Sequence, residues 1–322
     1  MYLISNERNH PMLEIRYTKK TLRGSLAKQL VRLSKRLVIK NPVYSDASFG
    51  KLYSLKLSPD FDYPKGIASK WIDLPNSKME WIYSTEKTCG NVILQFHGGA
   101  YYKPYNDTYR RSAIKYHHIS HGSHVFSLDY RVAPIHPFPA ALDDALDAYR
   151  YLLENKFDPN KIIVVGDSAG GGLTLALCMK LRDLKLPMPK ALITMSAWTD
   201  LASEGESYLR NQLLDPMLGN HTLPLEHNDY VSNNDVYNPY ISPAYGTFES
   251  FPPMMMHVGS HEVLESDTLT VAKKASDAGV DVQVTLYRGM FHVFQLAFGL
   301  IPDAKKAWKE IENYIETKFI AC

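Results

Sequence analysis

The sequence predicts an α/β protein: a mainly parallel central sheet with helices on both faces. Three observations lead there. From about Asn91 onward, short apolar runs alternate with stretches of helical periodicity, and such alternation implies parallel strands joined by crossover helices. Several of the runs are apolar throughout, as strands buried on both faces should be. With 322 residues, 45% of them hydrophobic and 22% charged, the chain can bury a sizeable core.

Taken in order, residues 1–48 precede the sheet and hold a basic helical pattern. Leu22, Leu26, Leu30, Leu33 and Leu37 recur there at helical spacing, which makes one apolar stripe with Lys and Arg over the remaining surface. Gly24 and Ser25 weaken a single continuous helix. KLYSLKL (51–57) and KMEWIYS (78–84) read as early, antiparallel edge strands. NVILQF (91–96), HVFSLDY (124–130), KIIVVG (161–166), KALITMSA (190–197), PMMMHVG (253–259) and VQVTLY (282–287) read as the strands of the sheet. Helical patterns occupy 140–155, 169–184, 266–279 and 302–319. Residues 201–235, polar and rich in Asn, interrupt the rhythm between two strands. A segment that long inside a compact domain has its own structure or a function such as a lid.

Composition narrows the partners. The net charge of +2 gives no overall case for nucleic acid. Three scattered cysteines, Cys89, Cys178 and Cys322, form neither a disulfide framework nor a metal pair. The N-terminus lacks an apolar core of signal-peptide length, and nowhere do 18 apolar residues run together. A cytoplasmic protein is expected. Charge is nevertheless uneven: from Arg16 to Ser45 there are nine Lys or Arg and no Asp or Glu. Subtracting those nine from +2 leaves about −7 for the rest of the chain.

Chemistry enters at VVGDSAGGG (164–172). Alone, G-x-S-x-G is a weak signal: at background frequencies of ~7% per residue type, a chain of this length shows it by chance with probability on the order of 0.1. Position strengthens it, because Ser168 falls on a turn between an apolar strand and a helix. Such an elbow exposes a nucleophilic hydroxyl above the sheet, and the helix behind it offers free amides to a developing oxyanion. A serine hydroxyl needs a base, and His292, in RGMFHVF just after VQVTLY, is placed to be one. Glu262, after PMMMHVG, supplies an acid to orient the imidazole; His261 and Asp267 are its rivals, Asp267 reading better as a helix N-cap. The order Ser168, Glu262, His292 is that of nucleophile, acid and base in this class of elbow enzyme. HGGAYY (97–102) follows a strand and offers glycine-flanked amides for an oxyanion hole.

Together these segments resemble the hormone-sensitive-lipase-like family of α/β-hydrolases, which includes many bacterial carboxylesterases. The matching stretches are HGGAYY, DYRVAPIHPFPAALDDA (129–145), GDSAGGG (166–172), SAWTDL (196–201), NPYISP (238–243), GSHEVLESD (259–267) and GMFHVF (289–294). The resemblance implies an α/β-hydrolase fold, Ser168 as nucleophile, His292 as base and Glu262 as acid. It also implies an oxyanion hole from the amides of Gly98, Gly99 and Ala169. A helical cap would come from residues 1–48 and 201–235, over a core made of 49–200 and 236–322. Two departures stand out. Ala100 replaces a glycine, tolerable unless the backbone there needs positive φ, and Glu262 stands where Asp is more usual.

The expected reaction is hydrolysis of carboxylic esters, with short to medium acyl chains, through an acyl-enzyme and without metal or organic cofactor. An amidase, formamidase or peptidase using the same residues, or a non-catalytic receptor for a small ligand, are the alternatives. Tyr101, Tyr102 and Trp198, after strands at the catalytic end, would line a substrate pocket or pack the core. His117, His118, His121 and His124 read as a helix end leading to a strand rather than a zinc site. Asp129 and Arg131 read as structural, and Asp167 as a residue that holds the nucleophile's loop. The leucine stripe is expected to pack over the site as part of the cap, in preference to lying on an anionic membrane; a homo-oligomer is left open.

Overall fold

The computed structural model describes residues 13–38, 56–86, 90–219 and 229–319, the side chains of 34–38 excepted. Among the described residues, nine strands form one sheet in the order β1-β9-β8-β7-β6-β4-β5-β3-β2. They are β1 (Leu13–Tyr17), β2 (Ile67–Asp73), β3 (Lys78–Ser84), β4 (Val92–Phe96), β5 (His124–Asp129), β6 (Ile162–Asp167), β7 (Ala191–Met195), β8 (Met254–Gly259) and β9 (Val282–Tyr287). Every pairing is parallel except those of β3 with β2 and with β5. The helices are α1 (Leu22–Val38), α2 (Asp107–Ile119), α3 (Ala140–Glu154), α4 (Ala169–Asp183), α5 (Glu206–Arg210), α6 (Glu265–Asp277) and α7 (Pro302–Lys318).

The all-apolar runs earn their place by being buried on both faces. Ile162 and Val164 of β6 join Val92, Leu94 and Leu192 under α3, α4 and α6. Ile163 and Val165 point the other way, with Ile93 and Ile193, beneath Ala113 and Tyr116 of α2 and Trp308 and Ile311 of α7. Alternation along the strand thus feeds two cores, one per face. Cys178 is fully buried in the first. The four-histidine stretch is indeed the end of α2 leading into β5, and its members take separate partners: His117 Nδ1 lies 2.8 Å from Ser123 O, while Trp81 donates to His124 Nδ1 at 3.1 Å. Arg131 is clamped to buried Asp144 through Nε and Nη2, a structural role as expected.

Three expectations change. Of KLYSLKL, residues 51–55 lie outside the described residues and 56–57 are not strand; among the described residues β2 at 67–73 takes the edge. Residues 13–17, expected above the sheet, extend it instead, pairing in parallel with β9. The leucine stripe of α1 does not pack inward at Leu22, Leu26, Leu30 and Leu33, which are all exposed; the side chain of Leu37 lies outside the described residues. The helix is continuous through Gly24 and Ser25, with Gly24 packed close against the side chains of Met290 and Asp303. Among the described residues, no helix is long and apolar enough to cross a membrane.

Candidate active site

Ser168 sits between β6 and α4 with φ 52° and ψ −124°, a backbone conformation that costs on the order of 1–3 kcal/mol unless its surroundings impose it. They do. The Ser168 amide donates to Met195 O at 2.9 Å, and its carbonyl accepts from the amides of Gly171, Gly172 and Trp198. Gly166 and Gly170 face each other across the elbow, and a Cβ on Gly170 would meet the carbonyls of Phe96 and His97. Glycine is required there by contact, not by flexibility.

The loop after β9 carries His292, whose Nε2 lies 2.9 Å from Ser168 Oγ and whose Nδ1 lies 2.9 Å from Glu262 Oε2. This arrangement needs the proton of a neutral imidazole on Nδ1, leaving Nε2 to accept from the serine. Glu262 is wholly buried. Burial pushes its carboxyl above the usual range, and the hydrogen bond from His292 pulls it back. Its second oxygen, Oε1, accepts from Ser196 Oγ at 2.8 Å and from the Gly259 amide. Ser196 Oγ in turn accepts from the Val293 amide at 3.2 Å, so one hydroxyl ties the acid to the histidine loop.

The rivals for the acid have other work. Asp267 Oδ2 accepts from the amides of Thr199 and Asp200 at 2.7 and 2.8 Å, holding the chain after β7. It lies inside the first turn of α6 and is not the N-cap the sequence suggested, since Leu264 occupies that position. His261 faces away toward α1, with Nδ1 2.6 Å from Lys28 Nζ. Burial, and then the cations Lys28, Lys20 and Arg32, push the His261 imidazole down to about 4.

The HGGAYY loop differs from expectation in detail. The Gly98 amide donates to Asp167 Oδ1 at 3.2 Å, which removes it from the set of free donors. Tyr109 adds a bond to the other oxygen at 3.1 Å, so Asp167, next to the nucleophile, ties the HGGAYY loop to α2. The Gly99 carbonyl accepts from the amides of Tyr102 and Lys103, closing a turn in which Gly99 has φ 121°. Ala100 follows at φ 57°, so this position does adopt the left-handed backbone that its Cβ disfavours. Ala169, first residue of α4, has no intrahelical partner for its amide. Tyr101 and Trp198 are each 1% exposed within the core, Tyr101 stacked on Tyr230 at 3.8 Å between ring centroids. They pack the fold and do not wall an open pocket. Tyr102 is half-buried, and its hydroxyl accepts from the Asp229 amide at 2.8 Å, tying this loop to the 201–235 insertion.

Sequence reasoning missed three supports: Ser196, Asn211 and Asp215. Asn211 Nδ2 donates to the carbonyls of Ser260 and Glu262, and Asp215 accepts from the Val263 amide, so the insertion grips the acid's loop from above. A serine ending the strand run KALITMSA was the one available hint, and it does not by itself name its partners.

Residues 93–296 match the family model described as alpha/beta hydrolase fold. Among curated proteins, the chain is 34% identical over 240 residues to an acetyl-hydrolase of Streptomyces hygroscopicus, covering 74% of this chain and 79% of the relative. It is 35% identical over 225 residues to an esterase of Acinetobacter venetianus, covering 69% and 74%. Among solved structures, a hormone-sensitive lipase from a metagenome library superposes with a TM-score of 0.81 at 32% identity, covering 94% of this chain and 99% of that one.

Proposed function

The chain belongs to the α/β-hydrolase family, among its hormone-sensitive-lipase-like esterases, and on that premise we propose a serine carboxylesterase that works through Ser168, His292 and Glu262. The observation that carries this reading is the unbroken run of hydrogen bonds from Ser168 Oγ through both imidazole nitrogens to a buried carboxylate.

In the first half-reaction, Ser168 Oγ attacks the ester carbonyl while His292 Nε2 takes its proton. Glu262 keeps the ring in the needed tautomer and stabilises the imidazolium. The oxyanion is received by the amides of Gly99 and Ala169; each such donor contributes ~3 kcal/mol in comparable sites. Gly98 is left out because its amide is engaged by Asp167. The imidazolium then protonates the departing alcohol, leaving an acyl-serine, and water repeats the sequence to release the acid. The described parts of the 201–235 insertion, gripping the acid's loop through Asn211 and Asp215, belong to a cap over this chemistry, and Tyr102 lies where Asp229 meets the HGGAYY loop.

Short to medium acyl chains fit the acetyl-hydrolase named among the relatives. The reading is tested with p-nitrophenyl esters of increasing acyl length and the matching p-nitroanilides. Ester kcat/KM should exceed anilide kcat/KM by at least ~10³ and be highest for the shorter acyl chains. Comparable rates on both would make the protein an amidase.

A further inference from the structure

α1 is an amphipathic helix docked by its smaller face. Gly24 presses against Met290 and Asp303, Ala27 and Val31 pack on the cluster around Tyr287 and Phe294, and Lys28 meets His261. This face is made of small residues, with Gly24 in close contact with the side-chain ends of Met290, Asp303 and Thr21, which suits it for docking better than the leucine face. The leucines therefore stand outward on the opposite side, from 52% exposed at Leu33 to 88% at Leu22. A second apolar group joins them. Arg32 Nη2 donates to the carbonyls of Leu213 and Leu214 at 2.9 and 3.2 Å, and beside that contact Leu209 and Leu213 are 83% and 73% exposed. Both groups hang from the loop that carries Glu262, α1 through His261 and the 209–215 stretch through Asn211.

Charge identifies the occupant. Lys19, Lys20 and Arg23 are exposed around the start of the stripe, within the stretch from Arg16 to Ser45 that holds nine Lys or Arg and no Asp or Glu, while the rest is near −7. We propose that this face docks on an anionic phospholipid surface, with the leucines entering the headgroup–acyl boundary and the three cations meeting lipid phosphates. A second copy fits less well: a twofold pairing through the same stripe brings both sets of cations together. Each cation near an anionic surface is worth roughly a fivefold gain in partitioning. Docking there would hold the proposed ester site beside lipid; that consequence rests on the esterase reading, whereas the docking itself does not.

The experiment uses the full chain carrying Ser168→Ala, so that binding is read without hydrolysis, and sediments it with vesicles of phosphatidylcholine alone or mixed with phosphatidylglycerol. Partitioning should be at least roughly tenfold stronger on the anionic vesicles and should fall as salt rises from ~0.05 to ~0.5 M. Leu26→Gln with Leu30→Gln should lower it roughly tenfold, while thermal melting and, on a Ser168 background, turnover of soluble esters stay unchanged. Equal partitioning on both vesicle types, or an undiminished double variant, overturns the proposal. So does a concentration-dependent dimer in sedimentation velocity that the double variant dissociates, which would give the face to a second copy.

Discussion

Ser168, His292 and Glu262 were legible as a set because each follows an apolar strand run, and the chain order of nucleophile, acid and base matched the elbow class. What the residues could not disclose was the use of individual amides and hydroxyls. Gly98 looked like an oxyanion donor until Asp167 proved to hold its amide, and Ser196 meets Glu262 across 66 positions of sequence. Asp167 carries a prediction of its own. Burial pushes its carboxyl up to about 6, against the hydrogen bond from Tyr109, whereas an unfolded aspartate titrates near ~3.9. The folded chain thus keeps this proton to higher pH than the unfolded chain does. The stability linked to it is fully present below ~4 and lost as pH rises through about 6, at most ~3 kcal/mol for a shift of that size. Asp167→Asn carries no such charge, and its amide oxygen can still accept from Gly98. Relative to the wild type, the variant should therefore gain stability as pH is raised from ~4 to ~7, read by thermal melts across that range. A stability difference that does not change with pH would refute the assignment.

At the scale of elements, the strands buried on both faces were readable from their runs of Val, Ile and Met. β1 (LEIRY) and β2 (IASKWID) were not, because edge strands keep charges and are only half-buried. α1 was readable as a stripe but not in its orientation: periodicity gives the angle between faces, and the fit of Gly24, Ala27 and Val31 decides which one docks. Glycine makes the same point in α4. On helix propensity alone, Gly170→Ala should stabilise by ~1 kcal/mol. Its Cβ would instead meet the carbonyls of Phe96 and His97, and forcing atoms into a packed site costs ~1–3 kcal/mol. We expect net destabilisation in urea unfolding, with the midpoint lowered; a raised midpoint would mean that the elbow has slack.

For the whole molecule, the sheet sets β6, β7, β8 and β9 side by side in that order, and residues separated by 124 positions become hydrogen-bond partners at Ser168 and His292. The insertion and α1, the two parts that break the strand–helix rhythm, both fasten onto the constrained loop that carries the acid. The account stands or falls on whether that constrained part activates one serine. The direct measurement is the rate and site of covalent labelling by a fluorophosphonate, followed by mass spectrometry of the peptides. The wild type should gain one adduct, on Ser168, and Ser168→Ala none; Glu262→Gln should melt like the wild type yet label ~10³–10⁴ more slowly, because its imidazole loses the required tautomer. An adduct on any other residue, or undiminished labelling of Glu262→Gln, would contradict it.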